Sequence, residues 1–187
     1  MFAAAILKVL LESQVSMRKS VLRKYGEIMG RNVSMASVEL AEHISPEMNG
    51  EMELEDIQAI LLFINALYYS VVFRTIFEIL SDKEMDQFLA PMVDSIIKPF
   101  LKQWEDPSRV EPLIREAFKN CVQLLKPYML KLSPDNAADP RGTLYWEFLL
   151  ILKSKYDVEL KNLDTINISA SNIGVDLSNK TITLLKS

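Results

Sequence analysis

His43 is the only histidine in the chain, and it stands four residues after Glu39. On a helix that spacing puts an imidazole and a carboxylate on one face, where they could share a metal ion with Glu47 or Glu51. A single histidine excludes sites that need two, such as the zinc H-E-x-x-H helix and the paired Glu-x-x-His of di-iron bundles. The surroundings of Glu39 and His43 are acidic and unspecialised, so an ordinary solvated face accounts for the pair and no metal is expected. A lone exposed imidazole can accept a phosphoryl group, but no neighbouring residue specifies that chemistry.

Cys121 is also unique, which rules out an internal disulfide. Its neighbours Val122, Leu124 and Leu125 are apolar, and no basic cluster adjoins it to hold a thiolate, so it reads as an inert packing residue. A Cys121/His43 dyad would require two unrelated segments to meet. The sequence has no G-x-S-x-G elbow and no glycine-rich phosphate cradle; its five glycines are scattered. Glu51, Glu53, Glu55 and Asp56 lack the spacing of a calcium loop and suit the first turn of a helix, where carboxylates complement the backbone dipole. Catalytic residues are therefore not assigned. An enzyme would have to rely on carboxylates such as Glu78 or Glu116 placed in a cleft.

The large apolar side chains are more suggestive. Phe63, Tyr69, Phe73, Phe100, Trp104, Phe118, Tyr128 and Trp146 are spread along segments that also carry Pro91, Pro99 and Pro127. Prolines bend helices, and bent helices with bulky, adaptable side chains are one way to leave an apolar pocket inside a bundle. These eight residues are the candidate pocket, for a small hydrophobic ligand and without a cofactor. The competing reading is a core filled at ordinary density.

The elements that would position them follow from periodicity. Leu7, Leu10, Leu11, Val21, Leu22, Tyr25 and Ile28 recur at three- and four-residue steps, which predicts a helix from Phe2 to Met29 ending at Gly30. Gly26 and Gly30 have G-x-x-x-G spacing, which the nearby charges assign to a helix terminus rather than a close helix contact. A short helix over Ser37–Ile44, a turn at Asn49-Gly50 and an apolar helix from Glu53 to Leu80 come next. Ser81 and Glu84 form a capping box and open a helix that is expected to break near Pro91 and kink near Pro99. Ser108 or Pro112 starts another, reaching Leu132 with a bend at Pro127. Residues 133–142 form a loop, and Thr143 caps a last segment whose apolar centre, Phe148–Leu152, suits a buried helix or a buried strand equally.

After Tyr156 the pattern alternates. Ile166 and Ile168, then Ile173, Val175 and Leu177, then Ile182 and Leu184 sit two apart, which predicts three short strands. The fold expected is thus mainly α, a multi-helix bundle of five to seven proline-kinked helices with a small C-terminal antiparallel β element. Residues 1–156 would form the bundle and 157–187 the strands, within one domain.

Composition bounds what this fold could do. The chain has 187 residues, 49% of them hydrophobic, with a net charge of −4, a profile that folds and disfavours nucleic acid as a partner. An undisulfided chain suits the reducing cytoplasm, where the N-x-[ST] triplets at Asn32, Asn167 and Asn179 have no role. The apolar run Phe2–Leu11 is interrupted by Lys8 and lacks a basic leader, so it is not read as a signal peptide. Ile57–Phe73 is apolar enough for a membrane but reads as a buried core helix, and no membrane is expected. Three functions stay open: a small apolar-ligand sensor or regulatory domain, an interaction or homodimerisation module using the terminal sheet or N-terminal helix, and an enzyme without a readable motif.

Overall fold

The computed structural model describes residues 2–47, 53–132, 140–156 and 160–187, with side chains for all of these except 2–17 and 47. Six α-helices account for the regular structure among them: α1 (Phe2–Ile44), α2 (Leu54–Phe77), α3 (Asp82–Leu101), α4 (Pro107–Leu125), α5 (Leu144–Lys155) and α6 (Leu163–Lys186). Single 3-10 turns follow α1 at Ser45–Glu47 and α4 at Lys126–Tyr128. The turn expected at Asn49-Gly50 and most of the loop over 133–142 lie outside the described residues.

The expected C-terminal β element is not there: Leu163–Lys186 is one helix, and no strand occurs among the described residues. Its buried residues are Ile166, Ala170, Ile173, Gly174, Leu177 and Thr181, spaced by three and four, whereas Ile168 and Val175 are 60% and 56% exposed. Residues two apart therefore lie on opposite sides of a helix rather than on one face of a strand. Half of the buried stripe is Ala, Gly and Thr, so a count of bulky residues sees the alternation and misses the helical period. Burial of that stripe against α1 and α2 outweighs the strand preference of Ile, Val and Thr.

Two expected interruptions are also absent. α1 passes straight through Gly30 to Ile44, fusing the two helices predicted there. A Cβ on Gly26 would stand 2.1 Å from the carbonyl oxygen of Phe88, and one on Gly30 would stand 2.4 Å from that of Met92. These glycines let the backbones of α1 and α3 touch, the close-contact role of G-x-x-x-G, rather than ending a helix. α3 in turn runs unbroken through Pro91 and Pro99. The Pro91 ring is buried and occupies space that Gly26 leaves open, since a Cβ there would lie 2.9 Å from its Cγ.

Caps fix the other ends. The Glu84 carboxylate accepts from the Ser81 N–H at 3.0 Å and from its hydroxyl at 2.7 Å, starting α3 as predicted. α4 begins ahead of both predicted starts, because Asp106 accepts from the Arg109 N–H and Pro107 takes the first helical position. It ends at Leu125, so Pro127 sits in the following 3-10 turn instead of bending a longer helix. Thr143 accepts from the Trp146 N–H at 3.4 Å and caps α5, which settles Phe148–Leu152 as helix.

Contacts set the topology. α1 and α3 run parallel, as the Arg18–Glu84 ion pair and the Gly26/Phe88 and Gly30/Met92 contacts show. α6 returns antiparallel to α1, with Tyr25 bonded to Ser187 and the Thr181 hydroxyl 3.8 Å from the Met29 sulfur. It lies parallel to α2, with the Tyr68 hydroxyl donating to the Ala170 carbonyl and Thr75 bonded to Ser178. α2 is the centre: Phe63, Ile64, Leu67, Tyr68, Val71 and Val72 are fully enclosed. It is long and apolar enough to cross a membrane by composition, and 67% of its most apolar window is buried inside the bundle.

Candidate functional site

The eight aromatic candidates are spread over α2 to α5 and their connections, with Phe63, Phe100 and Phe118 inside one hydrophobic core and Tyr69 and Tyr128 packed against it. Phe63 is buried and packs on Phe148 and Tyr156, with ring centroids 4.9 and 6.0 Å away. Tyr69 lies 6.4 Å from Phe73 and meets Phe118 edge-on at 5.5 Å, forming a second cluster between α2 and α4. Phe100 is buried near the end of α3, whereas Trp104 is 46% exposed in the connection to α4. Tyr128 in the 3-10 turn and Trp146 in the first turn of α5 are half-buried. Burial raises the hydroxyl pKa values of Tyr68, Tyr69 and Tyr145 above the ordinary tyrosine range.

The polar candidates are similarly dispersed. Glu39 and His43 are exposed near the end of α1, and among the described residues no three His, Cys, Asp or Glu side chains come together to hold a metal. Glu78 is engaged by Arg74 at 2.8 Å and Glu116 by Lys119 at 3.5 Å. Cys121 is buried on α4. Burial pushes its thiol up, an effect that Lys155 and a hydrogen bond with Tyr156 offset only in part. A protonated, enclosed sulfur is a packing group rather than a nucleophile.

What the architecture does present is an apolar end. Glu84 in the first turn of α3 pairs with Arg18 at 2.6 Å, and Ser187, the residue after α6, bonds to Tyr25. Ile79 and Leu80, in the connection from α2 to α3, share a groove of about 470 Å³ with Val21, Leu22, Tyr25 and Leu185. Three elements thus terminate at the level of residues 18–25 of α1. α1 itself continues toward Phe2 for sixteen more residues, 2–17, or about 24 Å at the rise of an α-helix.

Comparison with protein-family models, with curated proteins and with solved structures gave no match. Function must therefore be argued from this geometry. Nine of the ten residues Phe2–Leu11 are apolar, Lys8 being the exception. Val21 and Ile79 at the base of the extension are 39% and 49% exposed. Sequence reasoning found the apolar run but not that α1 continues past the level at which its neighbours end, which depends on tertiary contacts. A second feature escaped it entirely: basic side chains gathered beside the contact of α1 with α3, which depends on the long-range crossing at Gly26 and Gly30.

Proposed function

We propose that this chain is an interaction module that pairs with a second copy of itself through residues 2–17 of α1. The observation that carries this reading is the position of the apolar run, beyond the level at which α3, α6 and the α2–α3 connection end. A helix of that length gains most of its stability from packing an apolar face, so pairing two such segments in water would stabilise both.

A second copy fits the length and charge of the segment. Closed pairing about a two-fold axis matches one surface with itself. Lys8 and Glu12 are the only charged residues in 2–17. Laid antiparallel with residue 10 at the axis, two segments bring Lys8 of each level with Glu12 of the other. The same register brings Phe2 level with Arg18, at the mouth of the groove formed by Val21, Leu22, Tyr25, Ile79, Leu80 and Leu185. The apolar start of one copy then ends where the other copy exposes apolar surface, and both are removed from water together.

Light scattering coupled to size-exclusion chromatography tests this on the full chain. The protein should elute at twice the mass of a single chain, and the double substitution Leu7→Glu with Leu10→Glu should return it to one chain with its helical circular dichroism intact. A full-length protein that stays single at tens of micromolar, or a dimer that survives both glutamates, would contradict the proposal.

A further inference from the structure

Where α1 and α3 touch at Gly26 and Gly30, their flanking side chains open a groove of about 550 Å³, within the usual range of small-molecule sites. Four cations line it, Arg23 and Arg31 from α1 with Lys98 from α3 and Lys102 just after it, against two carboxylates, Glu27 and Asp94. The carboxylates are already engaged: Arg115 holds Asp94 at 2.7 Å, and Arg23 faces Glu27 at 3.8 Å. Among the described residues, Arg31, Lys98 and Lys102 have no carboxylate within ion-pair distance. Lys98 in the last turn of α3 and Lys102 at its C-cap are four residues apart in helical backbone, an arrangement in which like charges repel.

A chain with net charge −4 thus concentrates four cations against two carboxylates around one concavity, where low-dielectric walls focus the net positive field. A single carboxylate offers two oxygens and one charge, too few for three cationic groups drawn from two helices. A phosphate monoester offers more oxygens and a charge near −2, and pyrophosphate carries more of both. Arg31 can grip such an anion with two parallel N–H bonds, while the lysine ammoniums act as point charges, and the Ser95 hydroxyl in the groove wall adds a neutral donor. We propose that this groove binds a phosphate-bearing anion, either a small soluble molecule or the headgroup of an acidic lipid. The site is independent of the pairing of residues 2–17.

Thermal unfolding and calorimetric titration with pyrophosphate, against sodium chloride of equal ionic strength, test the site on the full chain. At ten times the dissociation constant the wild-type unfolding temperature should rise by about 3–5 °C over the salt control. The triple variant Arg31→Gln/Lys98→Gln/Lys102→Gln should bind about tenfold more weakly or less. Without the anion it should unfold no earlier than wild type, because mutual repulsion has been removed. Vesicles containing phosphatidic acid, compared with phosphatidylcholine alone, separate the two sources. Sedimentation that needs the three cations, without pyrophosphate binding, assigns the site to a headgroup. Wild-type protein that responds to neither probe, or a triple variant that responds as wild type does, would overturn the proposal.

Discussion

Gly174 on α6 lies directly beneath the hydroxyl of Tyr145 on α5: a Cβ at that position would stand 1.9 Å from the Tyr145 oxygen and 2.8 Å from its ring carbon Cζ. The glycine is what lets a buried tyrosine lie across the helix. Gly174→Ala should therefore destabilise the protein by about 1–3 kcal/mol, although alanine is the better helix former. Removing the hydroxyl with Tyr145→Phe should recover part of that loss, since the nearest atom is then gone. A double-mutant cycle by denaturant unfolding measures the coupling, and additive effects of the two changes would contradict this packing.

At Gly30 the obstacle is the carbonyl of Met92, not a side-chain tip. Backbone cannot swing aside, so Gly30→Ala should cost at least as much as Gly174→Ala, with no single side-chain change that rescues it. On an exposed helix the same substitution would stabilise by about 1 kcal/mol. Thermal unfolding therefore gives opposite signs for a buried crossing and a free helix.

Both glycines bear on what the sequence revealed. Helices α2 to α4 were legible because their apolar residues repeat at helical spacing and their starts carry carboxylates, Ser81 or a proline, whereas α5 stayed open between helix and strand because Phe148–Leu152 is apolar all round. α6 was misread because Ala170, Gly174 and Thr181 complete its buried stripe without being bulky. The span of α1 was misread because a glycine that admits another backbone looks, in sequence, like one that ends a helix. The candidate aromatic residues could be listed, but which of them meet depends on how helices cross, and composition is silent on that. The cations of the α1–α3 groove were hidden for the same reason.

Burial of Cys121 against Tyr156 yields a chemical prediction. Its thiol pKa lies above the ordinary value, so little thiolate exists at pH 8, and the sulfur is enclosed. Native protein should react with a disulfide reagent far more slowly than protein in guanidinium, with a rate that tracks unfolding. Equal rates in both conditions would show an exposed thiol.

The start of α3 has a predictable pH dependence. Hydrogen bonds from Ser81, chiefly, with the charge of Arg18 adding to them, hold the Glu84 carboxyl below its ordinary range. A depressed folded pKa means that the stabilisation is fully present above the unfolded value of about 4.3. It is lost as pH falls through the folded value. The stability difference between wild type and Glu84→Gln should be constant from about pH 6 to 8 and shrink at lower pH. Denaturant midpoints across that series decide it, and a difference that persists unchanged to pH 3 would contradict the assignment. Ser81→Ala should cost about 1 kcal/mol at neutral pH.

Pairing through residues 2–17 is tested most directly by distances between spin labels in the full chain, placed singly at Leu10→Cys or Lys24→Cys in a Cys121→Ala background. With residue 10 at the two-fold axis, labels there should lie about one helix–helix separation apart, roughly 10 Å plus the label arms. Labels at residue 24 should lie about 40 Å apart along the paired helices. The absence of dipolar coupling at residue 10, or a shorter distance at residue 24 than at residue 10, would contradict the account.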